Sequence, residues 1–298
     1  MTTVLVTGGT GFLGRHIVSE LAADGVTVIS YNRDHSVSSH PKAIAVQGEL
    51  FDIPKLCRTL ADHRVDRIIH TAAQSHPEIS IDLPVTTFAA NVDGTLAVFE
   101  AARMSPSTRR IVNLSSECAY GHQDETTLVT ESSRTVPNTP YGVTKVATEL
   151  LGRVYSSVYG LDVVSLRVSE IYGHGLTMPE VLMEMIGAAE RGAPFRLDAG
   201  AIHRFQFVHV SDVARATVLA SAKSALPQYV YNISGGEQMT LAQAADLVRS
   251  RFPDADIGIG PGHLPGWDRQ GPFDISAAER DLGYRPSISV AEYIKECE

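Results

Sequence analysis

The chain has 298 residues, 44% hydrophobic and 20% charged, with a formal net charge of −9 at pH 7. That length suits one large domain with a smaller lobe, and the apolar content suffices for a sizeable core. The acidity argues against nucleic acid and anionic membranes as partners, and no apolar run approaches the ~20 residues of a membrane span.

Met1-Thr2-Thr3 leads straight into Val4-Leu5-Val6-Thr7. With no basic segment and no long apolar core, this start reads as a first strand rather than a signal peptide. Phe12 to Ala23 follows with Phe12, Ile17 and Leu21 at helical spacing. Val26–Tyr31, Ala43–Gln47 and Arg67–His70 read as the next strands, with a helix around Pro54–Leu60. Asn91–Ala102 is predicted helical and Arg110–Leu114 a fifth strand. Tyr141–Tyr159 reads as a long helix, and Asp162–Arg167 as a sixth strand. Beyond Tyr172-Gly173 the pattern is irregular. Three late helices are expected from capping boxes at Thr240…Gln243, Ser276…Glu279 and Ser289…Glu292. Strands alternating with helices imply right-handed crossovers and a parallel sheet covered on both faces.

The expected fold class is α/β: a doubly wound parallel sheet with a smaller C-terminal lobe packed on it. Three cysteines, Cys57, Cys118 and Cys297, read as reduced thiols in a cytoplasmic protein. The eleven histidines show no metal-binding spacing, so no metal is expected.

Gly8, Gly11 and Gly14 lie between the first strand and the first helix, with Phe12 and Leu13 opening that helix. Such glycines allow a sharp turn, close approach of a pyrophosphate, and tight helix–strand packing; the helix N-terminus then offers N–H groups to the anion. At the end of the second strand, an acidic residue would bind the ribose of NAD. Asn32 and Arg33 stand there instead, which favours NADP, with NAD the alternative.

Tyr141 and Lys145 are four residues apart and share one helix face. A cation near a phenol lowers its pKa, so Lys145 is expected to favour the Tyr141 phenolate. Ser116 follows the fifth strand, at the end that faces ligands in such sheets. Its hydroxyl is placed to hold the oxygen that Tyr141 protonates or deprotonates.

With these motifs, the sequence resembles the NAD-dependent epimerase/dehydratase family, the extended short-chain dehydrogenases/reductases. The resemblance runs nearly end to end. It takes in Gly48-Glu49-Leu50, His70-Thr71-Ala72-Ala73, Asn91-Val92-Asp93-Gly94-Thr95, Ser115-Ser116…Tyr120-Gly121 and Tyr141/Lys145. It continues in Arg167…Tyr172-Gly173, Val208–Val213, Tyr231-Asn232-Ile233 and Leu282-Gly283-Tyr284. It implies an α/β fold with a Rossmann-type, doubly wound parallel sheet and a smaller α/β C-terminal substrate lobe: residues 1–170 as the NAD(P)-binding domain, a later stretch, about 205–235, returning to it, and residues 171–298 mainly as the substrate lobe. It implies a catalytic set of Ser116, Tyr141 and Lys145. It also implies cofactor contacts at Glu49, Leu50, Thr71, Ala72, Ala73, Asn91, Leu114 and Val168, and a homodimer formed through the Tyr141–Lys145 helix. Ser75, beside His76, resembles a dehydratase segment near the substrate.

Three departures bear on substrate. Glu170 stands where the family's nucleotide-sugar enzymes usually carry Asn. Phe205 holds the position of their diphosphate-binding Arg, with Arg204 one residue away. The dehydratases' Asp-Glu pair is Glu117-Cys118 here. With Ser75 and Ser116, these make Glu117, Cys118, Glu170 and Arg204 the candidate substrate contacts. The leading expectation is an NAD(P)-dependent oxidoreductase or epimerase. It moves a hydride at a secondary hydroxyl or carbonyl of a free sugar, sugar acid or small ketone. A nucleotide-sugar 4-epimerase or dehydratase is the alternative, and a non-catalytic NADP sensor or scaffold the rival of another class.

Overall fold

A computed structural model describes residues 2–34 and 40–297. The first half alternates strands and helices: β1 (Thr3–Thr7), α1 (Phe12–Ala23), β2 (Thr27–Asn32), β3 (Ile44–Gln47), α2 (Ile53–Asp62) and β4 (Arg67–His70). The short helices α3 (Pro77–Asp82) and α4 (Pro84–Phe88) follow. A π-type turn, Ala89–Asp93, joins α4 to α5 (Gly94–Met104). Then come β5 (Arg110–Ser116), α6 (Pro140–Tyr159), β6 (Asp162–Val168) and β7 (Glu170–Tyr172).

The second half holds α7 (Val181–Glu190), β8 (Phe195–Leu197), β9 (Arg204–Phe205), β10 (Phe207–His209), α8 (Val210–Ala222) and β11 (Val230–Ile233). β12 (Met239–Thr240), α9 (Leu241–Arg251), β13 (Ile257–Ile259) and α10 (Val290–Glu296) complete it.

Seven parallel strands form the main sheet in the order β11-β6-β5-β4-β1-β2-β3. The chain winds outward from β1 to β3, then returns to place β4 on the other side of β1. That reversal opens a crevice at the C-terminal ends of β1 and β4, where ligands bind in such sheets. β1 shows how the two faces are made. Val4 and Val6 point to the core under α1 and α8, and Leu5 to the core under α2, α5 and α6. The period of two along the strand feeds both layers.

The second half builds its own core from Val181, Leu182, Met185 and Ile186 of α7 and Leu241, Ala244 and Val248 of α9. Three two-stranded ribbons, β10 with β7, β12 with β9 and β13 with β8, frame it. Among the described residues, no helix is long and apolar enough to cross a membrane.

Two expectations need correction. The region after Tyr172 is not irregular throughout: α7 forms there, capped by Glu180, which accepts from Leu182 N and Met183 N. Ser276 forms no capping box. Asp274 caps that turn instead, accepting from Ser276 N at 2.9 Å, so Ser276 lies inside the helical segment. The boxes at Thr240 and Ser289 are both formed.

Candidate active site

The glycine loop is held by its own backbone. Gly8 N donates to Tyr31 O at 2.9 Å, and Gly11 N donates to Gly8 O at 2.9 Å. A Cβ on Gly14 would lie 2.1 Å from Gly8 O, so only glycine lets α1 sit this close to the turn. The first turn of α1, with Phe12 and Leu13, has no side-chain cap and no acidic residue. Its N–H groups are therefore free to meet an anion, and the loop fits a pyrophosphate.

Asn32 does not reach outward. Its Oδ1 accepts from Thr10 N (3.0 Å) and Thr10 Oγ1 (3.1 Å), and its Nδ2 donates to Ser30 Oγ (2.9 Å). Arg33 is the opposite case: its side chain is 74% exposed, with Nε 3.8 Å from Asp34 Oδ1. The Glu49 carbonyl accepts from Tyr31 OH at 3.0 Å, while Leu50 packs on the core beneath.

Thr71, Ala72, Ala73, Asn91, Leu114 and Lys145 line one small cleft at the ligand-facing edge of the sheet. Thr71 Oγ1 donates to Thr7 O at 2.7 Å, and Ala72 N to Thr7 Oγ1 at 3.3 Å. The π-type turn aims Asn91 inward. Its Oδ1 accepts from Gln74 N (2.7 Å), and its Nδ2 donates to Gln74 O (2.9 Å) and Thr144 Oγ1 (3.0 Å). That amide is committed to holding the wall of the cleft. Val168, paired with Ser116, has its side chain in the core.

His70 adds a group that the sequence reading left without a role. It bridges Thr7 Oγ1 (2.8 Å) and Thr95 Oγ1 (3.0 Å), and burial, then Lys145, hold it down at about 3. It is neutral. Thr95 spends its own proton on Asn91 O, so His70 donates from Nε2 and accepts at Nδ1.

Ser116, Tyr141 and Lys145 meet at the end of β5. Ser116 Oγ accepts from Cys118 N at 3.2 Å. Helix α6 starts beside it, with Thr139 accepting from Gly142 N and Ser80 Oγ accepting from Tyr141 N. A Cβ on Gly142 would lie 2.4 Å from Cys118 O, so glycine sets the close approach that brings Tyr141 to Ser116. Lys145 Nζ donates to Leu114 O at 2.7 Å and sits 5.3 Å from the Tyr141 ring centroid.

The expected effect of Lys145 on Tyr141 is not seen. Burial and then Cys118 push the phenol above its ordinary value, while the Ser116 hydroxyl pulls it down. Burial also brings Lys145 down to about 8, against Cys118 and Glu149. Desolvation outweighs the charge of a cation already engaged by a carbonyl.

Beyond Tyr141 the wall is acidic. Burial, then Glu170 and Asp268, push Glu117 well up. Burial pushes Glu170 to about 7. Cys118 is raised by burial and then Glu117, so its thiol is a poor base. Glu180 rises to about 8 through burial and Glu170, even though it caps α7. Asp268 accepts from Asn138 Nδ2 at 2.6 Å and lies 3.4 Å from His122 Nδ1. Neither Glu180 nor Asp268 was singled out from sequence.

Ser75 is exposed and donates to Met178 Sδ at 3.2 Å. Arg204 is set apart from the acidic group. β9 keeps regular antiparallel register with β12, pairing Arg204 with Thr240, so no bulge turns Arg204 inward. Phe205 is buried and stacked on Phe207 at 5.1 Å, while Arg204 is exposed on the opposite side.

The sequence profile of the NAD dependent epimerase/dehydratase family matches residues 4–234. A dTDP-glucose 4,6-dehydratase of Xanthomonas campestris pv. campestris is 30% identical over 322 aligned positions, covering 99% of this chain and 91% of that protein. The crystal structure of a Thermotoga maritima UDP-glucose 4-epimerase with UDP-glucose superposes with TM-score 0.90 at 26% identity, covering 99% of this chain and 97% of that one. A Thermus thermophilus UDP-glucose 4-epimerase in complex with NAD gives TM-score 0.88 at 28% identity, with the same coverage of 99% and 97%.

Proposed function

The chain belongs to the NAD-dependent epimerase/dehydratase family and is an NAD(P)-dependent enzyme, and on that premise we propose that it oxidises and re-reduces C4 of a nucleotide-linked hexose, acting as a 4-epimerase. The observation that carries this reading is the meeting of Ser116, Tyr141 and Lys145 at the ligand-facing edge of the sheet. Position 4 is common to the names of the epimerases and dehydratases that the chain resembles.

In this reading, Ser116 holds the reacting oxygen and Tyr141 moves its proton, as general base in oxidation and general acid in return. Lys145 would orient the nearby ribose, and the Ser116 hydroxyl favours the phenolate. When bound, NAD(P) supplies reversible acceptance of a hydride from carbon, and its positive ring favours a neighbouring phenolate. The free N–H groups of α1 would hold its pyrophosphate. Residues 171–298, apart from the returning stretch at about 205–235, would form the lobe that grips the substrate.

The expectation of an unlinked sugar, sugar acid or small ketone rested on Glu170 and Phe205. Glu170 acts electrostatically on Tyr141 and Cys118 and so belongs beside the reacting carbon. A diphosphate carried at the far end of the substrate need not meet it. Dehydration is the second reading, favoured by the Xanthomonas relative and by a raised Glu117 carboxyl able to protonate a leaving hydroxyl. Cys118 makes a poor partner base, which ranks epimerisation first.

We take NADP as the cofactor, because no carboxylate ends β2 and Arg33 is exposed there; the Thermus complex keeps NAD as the second choice. The exposed apolar side of α6 supports a homodimer, and the three unpaired cysteines support a cytoplasmic enzyme.

Replacing Tyr141 by Phe tests the mechanism. Turnover of UDP-glucose should fall ~10²–10⁴-fold while cofactor affinity holds. Near-normal turnover by that variant would remove Tyr141 from the chemistry.

A further inference from the structure

Residues 173–180 join β7 to α7 and carry the chain from the sheet into the second half. Two side chains from the first half hold this segment. Arg15, at the end of the first turn of α1, donates from Nη2 to the carbonyls of His174 at 3.2 Å and Gly175 at 2.7 Å. Three residues on, Met178 Sδ accepts from Ser75 Oγ at 3.2 Å.

The two holds stand on opposite faces of the main sheet. α1 packs with α8 on one face, through Ile17, Val18, Val213 and Ala214. Ser75 leads into α3, whose Ser80 Oγ accepts from Tyr141 N and so ties it to α6 on the other face. The segment between the holds therefore passes above the C-terminal ends of β1 and β4, over the crevice that the glycine loop borders.

Its backbone is shaped for that crossing. Gly173 and Gly175 have φ of +143° and +83°, a region that side chains other than glycine rarely adopt. A Cβ on Gly175 would lie 2.1 Å from Arg15 Nη2, so glycine admits the guanidinium to its carbonyl. Phe12 braces that guanidinium, with Arg15 Cζ 5.5 Å from its ring centroid. Phe12 also opens α1, so the latch and the anion site are one piece. Beyond the segment, an open groove lined by Leu176, Met178, Met183 and Gly187 leaves it room to lift without breaking the core of the second half.

We propose that residues 173–180 are a strap over the bound dinucleotide, and that Arg15 is the positioning residue that latches it, so that release of NAD(P) waits on the breaking of the Arg15 contacts. Arg15 acts through the strap and takes no part in the hydride step. The inference concerns the cofactor alone and stands whichever sugar is the substrate.

The test loads the full chain with NADPH, or with NADH where that binds tighter, and chases it with a large excess of the oxidised nucleotide. Nicotinamide fluorescence reports release. Arg15→Ala should release the nucleotide at least about tenfold faster than the wild type. Arg15→Lys should fall between the two, since an ammonium still donates but lacks the planar fork. Loss of a positive charge beside an anion site also speeds release, so two further variants keep Arg15. Gly175→Ala sets its methyl group against the guanidinium, and Met178→Ala removes the second hold. Faster release in either upholds the strap. A wild-type release rate in Arg15→Ala would overturn it. So would fast release in Arg15→Ala with both charge-preserving variants at the wild-type rate, which would reduce Arg15 to a charge beside the pyrophosphate.

Discussion

Tyr141 shows how environment and motif pull in different directions on one side chain. Its helix partner Lys145 is where the spacing puts it, yet burial raises the phenol and the ammonium is spent on Leu114 O. The phenolate thus needs help beyond Lys145, and the Ser116 hydroxyl already gives some. Arg33 is the contrasting case of an unburied residue whose meaning lies in its charge. A 2′-phosphate there would meet a guanidinium able to bind it in two-point fashion, whereas Asn32 is occupied with Thr10 and Ser30. Titration should therefore give NADP+ at least about tenfold tighter than NAD+, the size expected of one charge-assisted contact, with Arg33→Ala removing the difference. Tighter binding of NAD+, unchanged by Arg33→Ala, would assign the enzyme to NAD.

At the scale of elements, β1, the glycine loop and α1 act as one part. Gly14→Ala puts a methyl group 2.1 Å from the Gly8 carbonyl oxygen, a backbone atom that cannot rotate aside, so α1 must shift outward. Overpacking of this kind costs about 1–3 kcal/mol, and the anion site moves with the helix. The expected outcome is a lowered Tm and a cofactor affinity too weak to saturate; a variant that binds cofactor normally would show that the loop's close packing is dispensable. This part was legible in the sequence because its causes are local: glycines at fixed spacing, a β-branched strand, a helical apolar period. α6 was legible for the same reason, with Tyr141 and Lys145 one turn apart. α7 was not, although its apolar residues follow a helical period, because Pro179-Glu180 precedes it in place of a Ser or Thr cap. Asp268 escaped for another reason. It lies in an irregular stretch, and only tertiary folding brings it to Asn138, 130 residues away in the chain. Arg204 could be placed only once the register of β9 with β12 was known.

On the scale of the whole molecule, α6 faces two ways. Tyr141, Lys145, Thr148, Glu149 and Gly152 form its buried side. Its outer side presents Val143, Leu150, Val154 and Val158, with Leu150 57%, Val154 47% and Val158 65% exposed. Val85 and Phe88 of α4 extend the same kind of surface. An exposed helix side this apolar is the kind of surface that another protein surface covers. In a two-fold dimer, this surface would meet its own copy, so every substitution enters the interface twice. Leu150→Glu with Val154→Glu would then put four carboxylates into one contact and remove apolar burial worth about 1.5–3 kcal/mol per side chain. We expect the wild type to sediment as a dimer at micromolar concentration. The double variant should dissociate at least about a hundredfold more readily while keeping its helical signal, since both residues lie away from the core. A wild type that sediments as a monomer would end the dimer proposal. A double variant that stays dimeric would move the interface to another surface, leaving the outer side of α6 to be explained otherwise.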